Sequence, residues 1–265
     1  MLDRTETPEA SQARPATAPL TRLGNTLGQV GVHAAAITNL TPAERLAYLR
    51  AAIDGPIVFT HGFGIEGQLI FHWICERNLA IDVVTLDTGR LFPETHVLWA
   101  ETERRYRRRI RAIYPEHVAL EQLVAKQGIE GIYESKENRL ACCEVRKVRP
   151  LDRALAGAQA WVTGARGDQT AARKRAGMLA YEASRDVIKI NPLFDWTREH
   201  VLAAVAAEGV PINPLHAKGF VSIGCSSCTR AITPGEPERN GRWWWENESS
   251  RECGLHLPRS ARRSA

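Results

Sequence analysis

Two pairs of cysteines, Cys142-Cys143 and Cys225-Cys228, constrain this chain more than any other feature. Four thiolates can hold a four-coordinate zinc or an iron–sulfur cluster, and either would force two distant segments to meet. The second pair is a CxxC in a Gly/Ser turn, Gly224-Cys225-Ser226-Ser227-Cys228-Thr229-Arg230, the usual half of a metal site. Two core cysteines, a strained vicinal disulfide or a redox dithiol would explain one pair but not both. Zinc ligands are normally spaced by two to four residues, so the adjacent Cys142 and Cys143 favour an iron–sulfur cluster. One turn beyond that pair, Arg146 and Lys147 would offset the charge of bound thiolates or hold an anion.

Cys253 stands apart, in Arg251-Glu252-Cys253-Gly254-Leu255-His256. Its polar neighbours imply exposure, and Arg239, Arg242 and Arg251 would lower its pKa if the tail lay over an anionic site. Alone it would read as an idle surface cysteine. Beside a metal centre it is placed like a nucleophile. No apolar run is long enough to span a membrane, and the first 30 residues lack a signal-peptide core. Cytoplasmic residence is the expectation, and there cysteines bind metals or react more often than they form disulfides. A net charge of +5 favours anionic ligands without arguing for nucleic acid.

The pattern of the chain is α/β. Residues 1–30 read as a flexible N-terminal tail, 31–235 as the α/β domain with the metal site, and 236–265 as a mobile C-terminal segment. Thr41-Pro42-Ala43-Glu44 has the form of a capping box opening a helix over 41–53. Strands are expected at 57–60, 81–86, 110–114, 160–163 and 187–190, with helices at 67–77, 93–108, 117–126 and 197–208. Such alternation implies a mainly parallel sheet covered on both faces, with ligands at the carboxyl ends of its strands. The loops 60–67, 87–94 and 164–175 are therefore the places to look. In the first, Thr60-His61-Gly62-Phe63-Gly64 joins strand to helix, and its glycines would let backbone N–H groups approach a phosphate. It matches neither the P-loop nor the dinucleotide fingerprint. In the last, Arg166 is suited to a phosphate or a purine face, and Arg173, Lys174 and Arg175 follow. The six arginines of 104–111 read first as a solvated helix end, with a 3′-phosphate or RNA contact as the alternative.

Five blocks in order make the chain similar to the iron–sulfur type of adenylyl-sulfate reductase, over roughly residues 55–256. They are Leu86-Asp87-Thr88-Gly89-Arg90 with its continuation to Thr95, Cys142-Cys143-Glu144-Val145-Arg146-Lys147, Gly224 to Arg230, Gly241-Arg242-Trp243-Trp244-Trp245-Glu246, and Glu252-Cys253-Gly254-Leu255-His256. The resemblance implies the Rossmann-like adenine nucleotide α-hydrolase fold. It implies a [4Fe–4S] cluster on Cys142, Cys143, Cys225 and Cys228. The Cys253 thiolate would attack the sulfur of adenosine 5′-phosphosulfate, and thioredoxin, or glutaredoxin in its place, would release sulfite. Lys147, Arg239 and Arg242 match positions that hold the phosphosulfate. Thr60, Gly62, Gly64, Leu86, Asp87, Arg166 and Arg173 fall in loops that surround the nucleotide. His61 and Gly62 depart from the small hydroxyl residues common in the family, which leaves the choice between the substrate and its 3′-phosphorylated form open. The cysteine pairs weigh toward the unphosphorylated one, because relatives restricted to the phosphorylated form usually lack the cluster. A tRNA sulfur-transferase is the competing enzyme, opposed by the missing Ser-Gly-Gly-x-Asp-Ser loop. A zinc-braced binding module is the non-enzyme alternative, and it leaves Cys253 without a purpose. Whether the chain forms a homo-oligomer is not legible.

Overall fold

The computed structural model describes residues 27–246 and Leu255. It holds one six-stranded sheet in the order β3-β2-β1-β4-β6-β5. The strands are β1 (Ile57–Thr60), β2 (Asp82–Leu86), β3 (Arg111–Ile113), β4 (Ala160–Val162), β5 (Leu179–Glu182) and β6 (Val187–Ile190). All pairs are parallel except β5–β6. The antiparallel edge strand β5 is absent from the sequence expectations. It is short, follows a basic run, and is paired through a turn at Asp186 with φ 52°.

The strands read as continuous apolar runs because both faces are buried. Side chains alternate across the sheet. Phe59, Val83, Val162 and Ile188 join one core cluster, while Val58, Val84, Trp161 and Val187 join another. On the first face pack α1 (Leu27–Ile37), α2 (Pro42–Ala52), α3 (Ile65–Glu76) and α9 (Arg198–Ala207). The second face carries α7 (Arg149–Ala154). The remaining helices are α4 (Pro93–Tyr106), α5 (His117–Gln127), α6 (Lys136–Cys143) and the single turn α8 (Ala171–Lys174). None of the described helices is long and apolar enough to cross a membrane.

Local chemistry explains the boundaries. Thr41 caps α2 with the full capping box: Glu44 N–H donates to Thr41 Oγ1, and Thr41 N–H donates to Glu44 Oε2 at 2.8 Å. Helix α4 stops at Tyr106, short of the expected Arg108, because Arg107 turns left-handed at φ 49°. The arginine run therefore straddles a chain reversal. Arg108 donates to the Ile81 carbonyl at 2.5 Å, Arg109 pairs with Glu103 at 2.7 Å and Arg111 with Asp82. Three of the six thus tie the end of α4 and the start of β3 to their neighbours.

Strand order reverses between β1 and β4, which both start from the middle of the sheet and lead to opposite edges. A crevice must open there at the strands' carboxyl ends. That crevice is the cleft described next.

A cationic cleft beside four buried thiols

The loop from β1 to α3 forms the floor of the cleft. His61 borders it, but its ring is turned into the core. Its ring is 1% exposed, stacked between Phe59 and Phe71 and 4.3 Å from the Phe63 ring. Nδ1 accepts from the Phe63 N–H at 3.3 Å, so Nε2 carries the proton and donates to Gln68 Oε1 at 2.8 Å. Gln68 in turn donates to Thr102 Oγ1 and to the Pro211 carbonyl, both at 2.9 Å. Burial drives the His61 pKa down to about 3, only partly opposed by Gln68, and the ring stays neutral. Gly67 is required by this arrangement, since a Cβ there would lie 2.8 Å from His61 Nδ1. Phe63, left-handed at φ 56°, completes the turn. With His61 turned inward, Thr60, Gly62 and Gly64 line the cleft.

The opposite wall follows β4. Thr163 donates to Asn191 Oδ1 at 2.6 Å and accepts from the Ala165 N–H at 3.2 Å, which shapes the loop. Arg166 is fully buried and does not line the cleft. Its guanidinium is held by Glu66, by Asp168 at 3.0 Å and by Glu238. It is a hub joining α3, this loop and the segment after the CxxC. Arg173 does line the cleft, at the start of α8, with its N–H on Thr170 Oγ1 at 3.1 Å and its guanidinium on Gln169.

The loop after β2 connects the cleft to the cysteines. Asp87 is 7% exposed and turned into its own loop. One carboxylate oxygen accepts from the Gly89 N–H at 2.9 Å and the other meets His96 Nε2 at 3.2 Å. Leu86 lines the cleft. Thr88 Oγ1 lies 3.3 Å from Cys225 Sγ, and the Thr88 carbonyl accepts from Arg146 at 2.6 Å. The Arg90 carbonyl accepts from the Ser226 N–H at 2.8 Å. This one loop thus touches both cysteine segments.

Cys142 and Cys143 close α6, whose first turn is capped by Ser135 accepting from the Asn138 N–H at 3.0 Å. The sequence suggests a helix start near the pair; the helix instead begins at Lys136. After the pair the winding widens to a π-helical turn over Glu144–Val148, then returns to α7. Such turns are frequent at functional sites because they re-aim side chains. Here the widened turn sends adjacent residues in different directions: Arg146 points inward to Thr88, and Lys147 reaches the cleft.

Cys142, Cys143, Cys225 and Cys228 are each less than a tenth exposed, no disulfide joins them, and all four line one small cavity. Burial pushes the Cys142 and Cys228 thiols up, with Cys225 adding to both. Arg146 opposes this at Cys142, as Lys147 and Arg242 do at Cys228. Among the described residues, no three His, Cys, Asp or Glu side chains converge around one metal ion. Four thiolates on a single zinc would stand about 3.8 Å apart. A donor set made only of thiols, two of them adjacent in the chain, is of the kind that holds a polynuclear iron–sulfur cluster.

Cations surround that cavity. Arg139 is fully buried and forks onto Glu246 at 2.7 and 2.6 Å. Trp243, 1% exposed and left-handed at φ 45°, lies under Arg139 (4.9 Å), Arg242 (4.7 Å) and Arg239 (5.8 Å). It lines both the cleft and the cysteine cavity and is the wall they share. Arg242 donates from Nε to the Cys228 carbonyl at 3.2 Å and pairs in a β-bridge with Thr229. A Cβ on Gly224 would lie 2.3 Å from its guanidinium, so glycine before the CxxC is what lets Arg242 lie there. Lys147, Arg173, Arg239 and Arg242, from three stretches of chain, thus border one cleft.

Several contributors were given no role in the sequence. Arg90, Arg139, Glu246 and Trp243 buttress the thiols, Glu66 lines the cleft, and His216 lines it with Nδ1 on the Phe220 carbonyl at 2.8 Å. Of these only Arg139, one helical turn before Cys143, carries a signal in its spacing. Cys253 lies outside the described residues.

Residues 56–231 match the model of the phosphoadenosine phosphosulfate reductase domain. The chain belongs to that family. It is 52% identical over 225 residues to a protein of Rhizobium meliloti (strain 1021) called adenosine 5′-phosphosulfate reductase, covering 85% of this chain and 84% of that one. A crystal structure of phosphoadenylyl-sulfate reductase from Candida auris, solved as a phosphate complex, superposes with a TM-score of 0.66 at 26% identity, over 78% of this chain and 98% of its own. FMN adenylyltransferase of Candida glabrata, with FAD and pyrophosphate, gives 0.50 at 14% identity over 89% and 82% and shares the fold alone. The sheet is thus the Rossmann-like adenine nucleotide α-hydrolase type that the sequence implied.

Proposed function

We propose that this protein reduces adenosine 5′-phosphosulfate to sulfite and AMP. The observation that carries the reading is the cleft at the β1/β4 crevice. Four cations border it, and it shares the Trp243 wall with the four-thiol cavity. The name of the Rhizobium meliloti relative supports the same substrate.

The chemistry needs little beyond what the chain supplies. The Cys253 thiolate attacks the sulfur of the phosphosulfate in line with the bridging oxygen. A new S–S bond forms, the S–O bond breaks, and AMP leaves with that electron pair. AMP is a good leaving group, so no acid need protonate it. The site must instead stabilise charge gathering on the phosphate and hold the reacting atoms in line. Lys147, Arg173, Arg239 and Arg242 are placed for the first task. The β1–α3 loop offers backbone N–H groups at the α3 N-terminus for the nucleotide. A dithiol reductant of the thioredoxin type then displaces sulfite from the S-sulfocysteine, becoming a disulfide and supplying the two electrons.

Cys142, Cys143, Cys225 and Cys228 would hold a [4Fe–4S] cluster. The adjacent cysteines and the cations around them support that group over a single zinc. When bound it supplies a fixed charged body beside the cleft.

The test is anaerobic turnover of adenosine 5′-phosphosulfate and of its 3′-phosphorylated form, with thioredoxin present and iron quantified. Sulfite mainly from the unphosphorylated substrate is the expected result. Replacing Cys253 with Ser should abolish sulfite release and leave iron content unchanged. Sulfite from the Ser variant at the native rate would sink the mechanism.

A further inference from the structure

Trp161 stands on β4 between Val58 of β1 and Lys189 of β6, its register partners. Its side chain is buried, and Nε1 donates to Thr60 Oγ1 at 2.8 Å. A buried indole N–H needs an acceptor, so by itself this bond would be no more than satisfaction of a polar group. Two further observations set it apart. Lys189 Nζ lies 4.8 Å from the indole centroid and the Arg185 guanidinium 5.6 Å, both within reach of cation–π attraction. Lys189 is buried as well, so its charge is little screened. Thr60, for its part, ends β1 and lines the cleft.

A threonine hydroxyl carries one proton and two lone pairs. Here a lone pair takes the Trp161 N–H, and the proton finds no acceptor among the described residues. Hydrogen bonds in a chain polarise one another. Cations against the indole make its N–H the stronger donor, and the hydroxyl that accepts from it donates more strongly in turn.

We propose that Trp161 is a positioning residue for phosphate recognition: its N–H fixes the Thr60 hydroxyl so that the hydroxyl donates to an oxygen of the nucleotide's phosphate. The inference rests on the cleft binding a nucleotide, as proposed above. A hydroxyl held in this way calls for an acceptor, and the four cations bordering the cleft draw acceptor oxygens of an anionic group to it. Trp161 acts through Thr60 rather than by a polar contact of its own, because its one N–H is already committed.

The test uses the full-length protein, purified anaerobically, with Thr60→Val, Thr60→Ser, Trp161→Phe and the double variant of Thr60→Val with Trp161→Phe. Affinities for AMP and for adenosine are measured by calorimetry, and melting temperature checks the fold of each variant. Thr60→Val should weaken AMP binding by about 10-fold or more, as expected for a hydrogen bond to a charged group. Trp161→Phe should weaken it by about three- to tenfold, and Thr60→Ser, which keeps the hydroxyl, by less than about threefold. The two losses should not multiply: in the Thr60→Val background, Trp161→Phe should cost less than about twofold. Adenosine, which lacks the phosphate, should bind all the variants within about twofold of the native protein. A tryptophan that only packs the wall would cost the same factor with and without the hydroxyl, so losses that multiply in the double variant overturn the proposal. An equal loss with adenosine overturns it too, as does unchanged AMP affinity in either single variant, Thr60→Val or Trp161→Phe. Should Trp161→Phe not fold, Trp161→Leu takes its place in the cycle, and the Thr60→Val result stands on its own as a refutation if affinity is unchanged. If the native protein binds neither AMP nor adenosine, the nucleotide reading fails and this inference falls with it.

Discussion

At the residue scale, burial decides what a side chain can do. His61 stands in the loop where a phosphate contact would be sought, yet its ring is enclosed by Phe59, Phe63 and Phe71 and its pKa is pushed to about 3. In the unfolded chain it takes a proton below about pH 6.5. The folded protein cannot follow until about pH 3, so stability is present in full above 6.5 and declines as pH falls between those values. The slope from this one group should approach about 1.4 kcal/mol per pH unit. Denaturant unfolding at pH 6 and pH 4.5 should show a shallower loss in His61→Asn than in the native protein. Gly67→Ala presses a methyl onto the same ring and should cost about 1–3 kcal/mol, read as a lower urea midpoint with unchanged slope.

At the element scale, the site is assembled from loops that are tied to one another. The β4–α8 loop, α3 and the segment after the CxxC meet at Arg166, and Arg166→Met would leave the largely buried carboxylates of Glu66 and Glu238 unneutralised. That change should cost about 3–5 kcal/mol and raise KM, since Glu238 precedes the cleft-lining Arg239. The segment around the CxxC depends on a different contact. In Gly224→Ala the new methyl displaces the Arg242 guanidinium, and KM for the phosphosulfate should rise about tenfold, or about 1.4 kcal/mol. Melting temperature and iron content should change little. Most of these elements are legible in the sequence. The capping box at Thr41, the strand at Ile57–Thr60 and the helix at His117–Gln127 follow from local pattern. The strand β5 does not, because four residues without strong alternation pair only where a neighbouring edge is offered. The π-helical turn does not either, and the contact made from it, Arg146 on the Thr88 carbonyl, joins residues far apart in sequence.

At the scale of the whole molecule, the sheet and the thiol site are separately braced. The sheet rests on two apolar clusters, one on each face. The segment from 214 to 246 has little regular structure and is held by the Arg139–Glu246 pair, the Thr229–Arg242 bridge and the contacts around the cysteines. Oxidative loss of the proposed cluster should therefore loosen that segment first. Hydrogen exchange should rise across 222–246 while β1, β2 and β4 keep their protection. Simultaneous loss of protection in the sheet would mean that the bound group supports the whole fold.

The sequence by itself determined the α/β alternation, the family, and which cysteines act in pairs, because these rest on periodicity and on residue types whose chemistry is independent of place. The tertiary structure decided the roles of the charged side chains. Arg166 and Asp87 carry the residue types of ligand-binding groups, but the fold surrounds one with carboxylates and turns the other onto its own loop. Arg139 and Trp243 are given no role by the sequence and become the buttress of the thiol cavity. The reason is that a charge acts through whatever lies within a few ångströms in the low dielectric of the interior. Those neighbours come from distant segments that only the folded chain brings together.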